Sequence, residues 1–160
     1  MSTSKSKRGP VIVSACLLGR QCRFDGRDKF TPELAFLLEG RKVIAVCPEE
    51  LGGLGTPRAA CHITGGDGAD VLDGRARVID ANGIDRTQEF LSGARAAIEQ
   101  LQTAGAREAV LKERSPSCGV NRVYRDGALV PGQGVFAAWL TRNGVAVIDE
   151  EQALRRRKRR

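Results

Sequence analysis

Cysteine is the residue of this chain whose type and placement point most directly to chemistry. The stretch SACLLGRQCRFDG, residues 14 to 26, carries Cys16 and Cys22. VIAVCPEE puts Cys47 at the end of an apolar run, and VLKERSPSCG puts Cys118 shortly after another. Thiolates ligate soft metals and attack electrophiles. No two of the five cysteines are spaced CxxC and His62 is the one histidine, so a zinc ribbon or finger is unsupported. Three thiolates without an obvious fourth partner suit an iron–sulfur cluster with one open iron. Two other readings stay open at this point. The cysteines can be small buried residues at strand ends, or Cys118 can be a nucleophile with His62 as its base.

The neighbours of these cysteines are polar and mobile in pattern. Glu49 stands two residues after Cys47, where a carboxylate can act as general base. Gly52, Gly53 and Gly55 follow, and would allow backbone to approach a flat ligand. Arg23 and Asp25 follow Cys22, and Arg58 closes the segment GGLGTPR; each can orient a polar group or form a surface ion pair.

These residues need a frame. VIVSAC (11–16), KVIAVCP (42–48), EAVLKE (108–113) and VAVID (145–149) read as short buried strands, and ARVID (76–80) as an edge strand. Thr31, Pro32 and Gly40 bracket a helix; 85–105 is the longest helix, closed by Gly105; 135–144 is another. Strand and helix alternate, which predicts a single Rossmann-like α/β domain, a mainly parallel sheet flanked by helices. In such sheets ligands bind beyond the carboxyl ends of the strands. Cys16 and Cys47 end two strands and Cys118 follows a third, so all three are expected to converge on one edge.

Bulk properties narrow the class. The 160 residues, 41% hydrophobic, suffice for one domain with its own core. There is no apolar run long enough for a membrane span and MSTSKSKRGP has no signal-peptide core, so a cytoplasmic protein with no membrane partner is expected. Thiols stay reduced there, and five is odd, so a disulfide framework is not expected. The formal charge of +7 is concentrated at the ends: residues 155–160 read RRRKRR, and Lys5, Lys7 and Arg8 add three. Residues 9–154 hold 17 basic and 19 acidic residues, so the body is not basic. The reading is a flexible N-terminus (1–10), a domain (11–151) and a basic tail (152–160). The tail is a disordered solvated run or a contact to RNA or anionic lipid.

The blocks SACLLGRQCRFDG, CPEELGGLGTPR and LKERSPSCG, with GQGVFAAWLTRNGVAVIDEE near the end, resemble the signature blocks of the TudS-type thiouracil desulfurases, over about residues 11 to 151. The resemblance implies a [4Fe–4S] cluster held by Cys16, Cys47 and Cys118, with Cys22 as runner-up and one iron not held by protein. It implies Glu49 as acid/base, with Ser117, and a pocket lined by Ser115. Arg23, Asp25 and Arg58 are the expected substrate-binding residues. The implied reaction is non-redox: a thiolated pyrimidine such as 2-thiouracil and water give uracil and hydrogen sulfide. The alternatives are a desulfurase acting on thiolated tRNA, with the basic tail as RNA contact, and an iron–sulfur scaffold that meets RNA. His62 stands where the family pattern has an acid, which makes it a pocket-rim, surface or helix-cap residue.

Overall fold

The structure, a computed structural model, describes residues 8–158. The expected flexible N-terminus therefore lies largely outside the described residues, as does the end of the basic tail.

The central sheet contains β1 (Val11–Ser14), β2 (Val43–Val46), β5 (Glu108–Leu111) and β8 (Ala146–Asp149), in the order β2-β1-β5-β8. All its pairings are parallel, as alternation of strand and helix predicts. β1 lies inside it and is buried along its whole length, which is why VIVS reads as an unbroken apolar run. Its carboxyl end leads into a short 3-10 helix, Ala15–Leu18, containing Cys16. Ser14 ties two strand ends together: its Oγ accepts the Lys112 N–H at 2.9 Å.

Between β1 and β2 runs α1 (Pro32–Leu37), with Pro32 in its first turn. β2 ends at Cys47, which caps α2 (Pro48–Leu51). Glu49 and Glu50 thus sit on one helical turn directly beyond a strand. The long helix α4 (Thr87–Ala104) buries Phe90, Ala94, Ala97, Ile98 and Leu101 at helical spacing, and Gly105 ends it at φ 72°. α2 rests on α4 at the closest possible range. A Cβ on Gly93 would overlap the Pro48 carbonyl, and one on Gly52 would overlap that of Glu89.

A second sheet was not anticipated from the sequence beyond its edge strand. It comprises β3 (Cys61–Thr64), β4 (Arg77–Asp80), β6 (Arg122–Arg125) and β7 (Ala128–Pro131), in the order β4-β3-β6-β7. β6 and β7 form a hairpin through Asp126 (φ 50°) and Gly127 (φ 83°). Asp-Gly is the residue pair such a turn selects, because both positions need positive φ. β3 joins the hairpin in parallel through Ile63 and Arg125. α3 (Gly68–Leu72) lies between β3 and β4, with a capping box formed by Asp67 and Asp70.

The helix α5 (Val135–Arg142) fixes the SPSC loop. Its first N–H groups, on Val135, Phe136 and Ala137, donate to the carbonyls of Pro116 and Ser117 at 2.9–3.1 Å. Glu113 closes the same loop from below. Its Oε1 accepts from the N–H groups of Val120 at 2.8 Å and Asn121 at 3.0 Å.

The tail expectation needs correction. α6 (Glu150–Lys158) continues directly from β8, so the basic run starts as helix and not as disordered chain. Its Ala153 is buried, and the Arg157 guanidinium lies 5.2 Å from the centre of the Phe36 ring on α1. A cation on an aromatic face replaces part of the solvation that a free tail would keep.

Candidate functional site: a cysteine-lined cavity at the strand ends

The carboxyl ends of β1, β2 and β5 open into a cavity of ≈ 590 Å³. Cys16, Cys22, Cys47 and Cys118 all line it. All four are free thiols; Cys16, Cys22 and Cys118 are buried and Cys47 is half-buried. The topology explains the convergence: parallel neighbours bring residues far apart in sequence to one edge. The expected trio is therefore together, and Cys22 stands with it. Sulfur of Cys22, sulfur of Cys47 and a carboxylate oxygen of Glu50 lie within 4.8 Å of one another.

The thiols oppose one another's ionisation. Burial, then the Cys47 charge, pushes the Cys16 thiol up to about 11. Burial pushes the Cys118 thiol up as well. The hydrogen bond from Cys22 lowers Cys47 to about 7 against the effect of burial, and that same bond raises Cys22. Four sulfurs in one small desolvated space cannot all be thiolates without a compensating cation. A metal centre supplies that charge and deprotonates the thiols that bind it. The soft, all-sulfur donor set on the strand ends fits an iron–sulfur cluster.

Beside the sulfurs lies a fixed carboxylate. Ser117 Oγ donates to Glu49 Oε2 at 3.0 Å, and Arg58 Nε donates to Glu49 Oε1 at 3.0 Å. The Arg58 side chain is only 8% exposed, and its remaining N–H groups donate to the carbonyls of Cys22 (2.9 Å) and Gly55 (3.1 Å) and to Thr56 Oγ1 (3.0 Å). Burial disfavours this guanidinium, and Glu49 more than offsets it, so the Arg58 pKa is raised. Ser115 Oγ is 3.0 Å from Ser117 Oγ and accepts the N–H groups of Ser117 (3.2 Å) and Cys118 (3.1 Å). Ser115 therefore shapes the loop, while Ser117 touches both Glu49 and, at 3.7 Å, Cys118 Sγ.

Glu49, Ser115, Ser117, Arg23 and Arg58 all line the cavity as expected. Asp25 does not; its Oδ1 accepts the Arg27 N–H at 3.0 Å in a turn and lies 3.8 Å from Arg23. Gly52, Gly53 and Gly55 also lie off the cavity wall. Gly52 serves the helix contact and Gly53 a turn at φ 92°, so neither brings backbone against a ligand.

Several wall residues besides His62 escaped the sequence reading. Lys112 and Arg114 come from the strand-to-loop segment after β5. Arg114 holds φ 74°, unfavourable for a side chain, while its N–H donates to Glu113 Oε1 at 3.2 Å. Cys61, His62 and Tyr124 come from the second sheet, and Phe24 from the segment after Cys22. His62 is thus a wall residue on β3 and not a helix cap. The strand signal for β6–β7 was present in RVYRDGALV, as Asp-Gly flanked by β-formers.

The profile of the 2-thiouracil desulfurase family matches residues 11–152. The chain belongs to this family. A solved structure described as a [4Fe–4S]-dependent thiouracil desulfidase, TudS, is 38% identical and superposes with a TM-score of 0.78. That match covers 91% of this chain and 93% of the other. The uncharacterized protein YbbK of Bacillus subtilis (strain 168) is 38% identical over 145 residues, 89% of this chain and 96% of that protein. The desulfurase family match therefore embraces both sheets and every cysteine around the cavity.

Proposed function

We infer that this protein is a [4Fe–4S]-dependent desulfurase of thiolated pyrimidines, converting 2-thiouracil and water to uracil and hydrogen sulfide. The observation that carries the reading is one cavity holding both the cysteines and Glu49, the latter gripped by Ser117 and Arg58. Cys16, Cys47 and Cys118 would hold the cluster, leaving one iron without a protein ligand. Bound there, it supplies a soft Lewis acid that prefers thiocarbonyl sulfur to carbonyl oxygen.

The remaining chemistry belongs to the chain. Two ligands fix Glu49 at separate oxygens, so its carboxylate cannot rotate freely. It takes a proton from the water that attacks the carbon bearing sulfur. The C–O bond forms and the C–S bond breaks; the two protons of water leave with sulfur as hydrogen sulfide. No electron is gained or lost. Ser117, hydrogen-bonded to Glu49, keeps the base aimed at the cavity beside Cys118. Lys112 lines the same wall, its ammonium donating to the Glu113 carbonyl at 3.0 Å and lying 3.5 Å from Glu150 Oε2.

The free base is our preferred substrate over thiolated tRNA. A cavity of ≈ 590 Å³ suits a small molecule. Residues 9–154 carry 17 basic against 19 acidic residues, so the body offers no excess positive charge for a polyanion. No helix among the described residues is long and apolar enough to cross a membrane. Five free cysteines suit a reducing compartment, and we place the protein in the cytoplasm. Anaerobic incubation of the iron- and sulfide-reconstituted protein with 2-thiouracil tests the activity. Uracil and sulfide should appear in equal amounts over many turnovers; uracil formation independent of added iron would reject it.

A further inference from the structure

The cavity contains a feature that neither the cysteines nor Glu49 explains. Among the described residues six large hydrophobic side chains are exposed, Phe24 (40%) and Tyr124 (42%) among them. Of the six, these two line the wall shared by the sulfurs and Glu49. They reach it from different parts of the fold, Phe24 from the segment after Cys22 and Tyr124 from β6. Each is held in place. The Phe24 carbonyl accepts the Arg58 N–H at 2.8 Å, so its backbone is bonded to the residue that grips Glu49. The Arg23 guanidinium lies 5.7 Å from the centre of the Phe24 ring. Tyr124 pairs with Leu129 across the β6–β7 hairpin. Because Ile63 pairs with Arg125, His62 and Tyr124 are neighbours on the same face of the second sheet. That face is a cavity wall and not core.

Aromatic rings left half-wet inside a site cost free energy unless a ligand covers them. A flat heteroaromatic ring is the ligand whose faces match theirs. Resting on the desulfurase reading, we propose that Phe24 and Tyr124 are the stacking residues that recognise the pyrimidine ring and select cyclic, planar substrates over non-planar or open-chain thiocarbonyls. Glu49 and the sulfurs handle one carbon of the substrate and are indifferent to the rest of it. The aromatic wall supplies the missing discrimination.

The test compares uracil with dihydrouracil, which keeps the polar groups but has a puckered, partly saturated ring. Calorimetry on the reconstituted protein gives Kd for each, and kinetics give kcat and KM for 2-thiouracil. Phe24→Leu and Tyr124→Leu keep apolar bulk but remove the ring; Phe24→Tyr and Tyr124→Phe restore it. The wild type should bind uracil more tightly than dihydrouracil. Each Leu variant should weaken uracil binding and raise KM by about tenfold, with kcat within about twofold, while dihydrouracil binding hardly changes. The aromatic replacements should recover wild-type values. Equal affinity of the wild type for the two rings, or Leu variants that bind uracil as the wild type does, would overturn the proposal. Uracil binding is measured without turnover, so a protein inactive on 2-thiouracil would refute the desulfurase reading and still decide the stacking question.

Discussion

Gly93 has no side chain and does no chemistry, yet Gly93→Ala should damage the site. By helix propensity alone the change stabilises the protein, by about 1 kcal/mol. Packing predicts the opposite. The new Cβ would lie 2.8 Å from the Pro48 carbonyl carbon and 2.9 Å from Gly52 N, and closer still to the Pro48 oxygen. To bring the Pro48 oxygen, the tightest overlap, to ordinary contact, α2 must retreat by roughly 1.5 Å. Both obstructing groups are backbone, so no rotamer change relieves the clash. Overpacking costs about 1–3 kcal/mol, and a strained backbone puts this site at the upper end. The net loss, about 2 kcal/mol, corresponds to a melting-temperature drop of roughly 4–8 °C at this size. α2 carries Glu49 and is capped by Cys47, so its shift moves both. A misplacement of order 1 Å costs about 100-fold in turnover. Gly105→Ala is the control: its φ is 72° with nothing within 4 Å of the added carbon. It should lose about 1–2 kcal/mol of stability with unchanged turnover. Thermal unfolding, iron content and kcat measured on all three proteins decide it. A Gly93→Ala protein that melts at or above the wild-type temperature and turns over normally would refute this account of how α2 is positioned.

Glu49→Gln should retain its iron and bind 2-thiouracil but turn over at least ~100-fold more slowly, the size expected for a lost general base; normal turnover would move the proton transfer elsewhere. Glu113 gives a pH prediction. Burial raises its carboxyl, but the surrounding N–H donors outweigh this and hold it at about 2, below the ordinary 4.5. Its contribution is thus complete above about pH 4.5 and disappears as pH falls toward 2. Urea unfolding should show wild type more stable than Glu113→Gln at about pH 6, with the gap narrowing below pH 4.5 and closing only near pH 2; a gap independent of pH would contradict this. Burial, and with it the Glu113 carboxylate, pushes the neighbouring Asp149 upward, an opposing effect that Glu113→Gln relieves in part. Deleting 155–160 removes the Arg157 contact with Phe36 but should leave kcat/KM on free 2-thiouracil within about twofold, since a surface charge is screened beyond about 10 Å at 0.1 M salt. Efficient tRNA desulfuration with a steep salt slope that truncation removes would instead identify RNA as the substrate.

The half of the molecule that builds the sulfur site was legible in the sequence because its signals are local. The four central strands announced themselves as short apolar runs, although only β1 and β5 are buried and β2 and β8 are half-exposed edges; Gly105 marked the end of α4 correctly. Strand-end logic then placed Cys16, Cys47 and Cys118 at one edge with no contact information. The second sheet was hidden because its strands are short and half-exposed, with mixed patterns such as CHIT and RVYR. The pairing that joins its two halves, Ile63 with Arg125, links segments far apart in sequence. Asp25 and Gly52 show the limit of reading residue type near a motif. Both stand beside site residues in sequence, but one is spent on a turn and the other on a helix crossing. The basic run was read as disordered because charge alone carries no helix signal, whereas α6 extends into it from Glu150, with Ala153 buried and the exposed Arg157 over the Phe36 ring.

The central claim is that three cysteines from three strand ends hold a cluster whose fourth iron stays open beside Glu49. Iron per chain and uracil formation, measured on the same anaerobic samples of the five single Cys→Ala variants, test it most directly. Cys16→Ala, Cys47→Ala and Cys118→Ala should each lose both the cluster and turnover. Cys61→Ala should keep both, because Cys61 lies on β3 of the second sheet and not at a strand end of the central sheet. Cys22→Ala should also keep four irons, because a fourth protein ligand would close the position that sulfur needs. Loss of the cluster in Cys61→Ala with retention in Cys47→Ala would contradict the assignment.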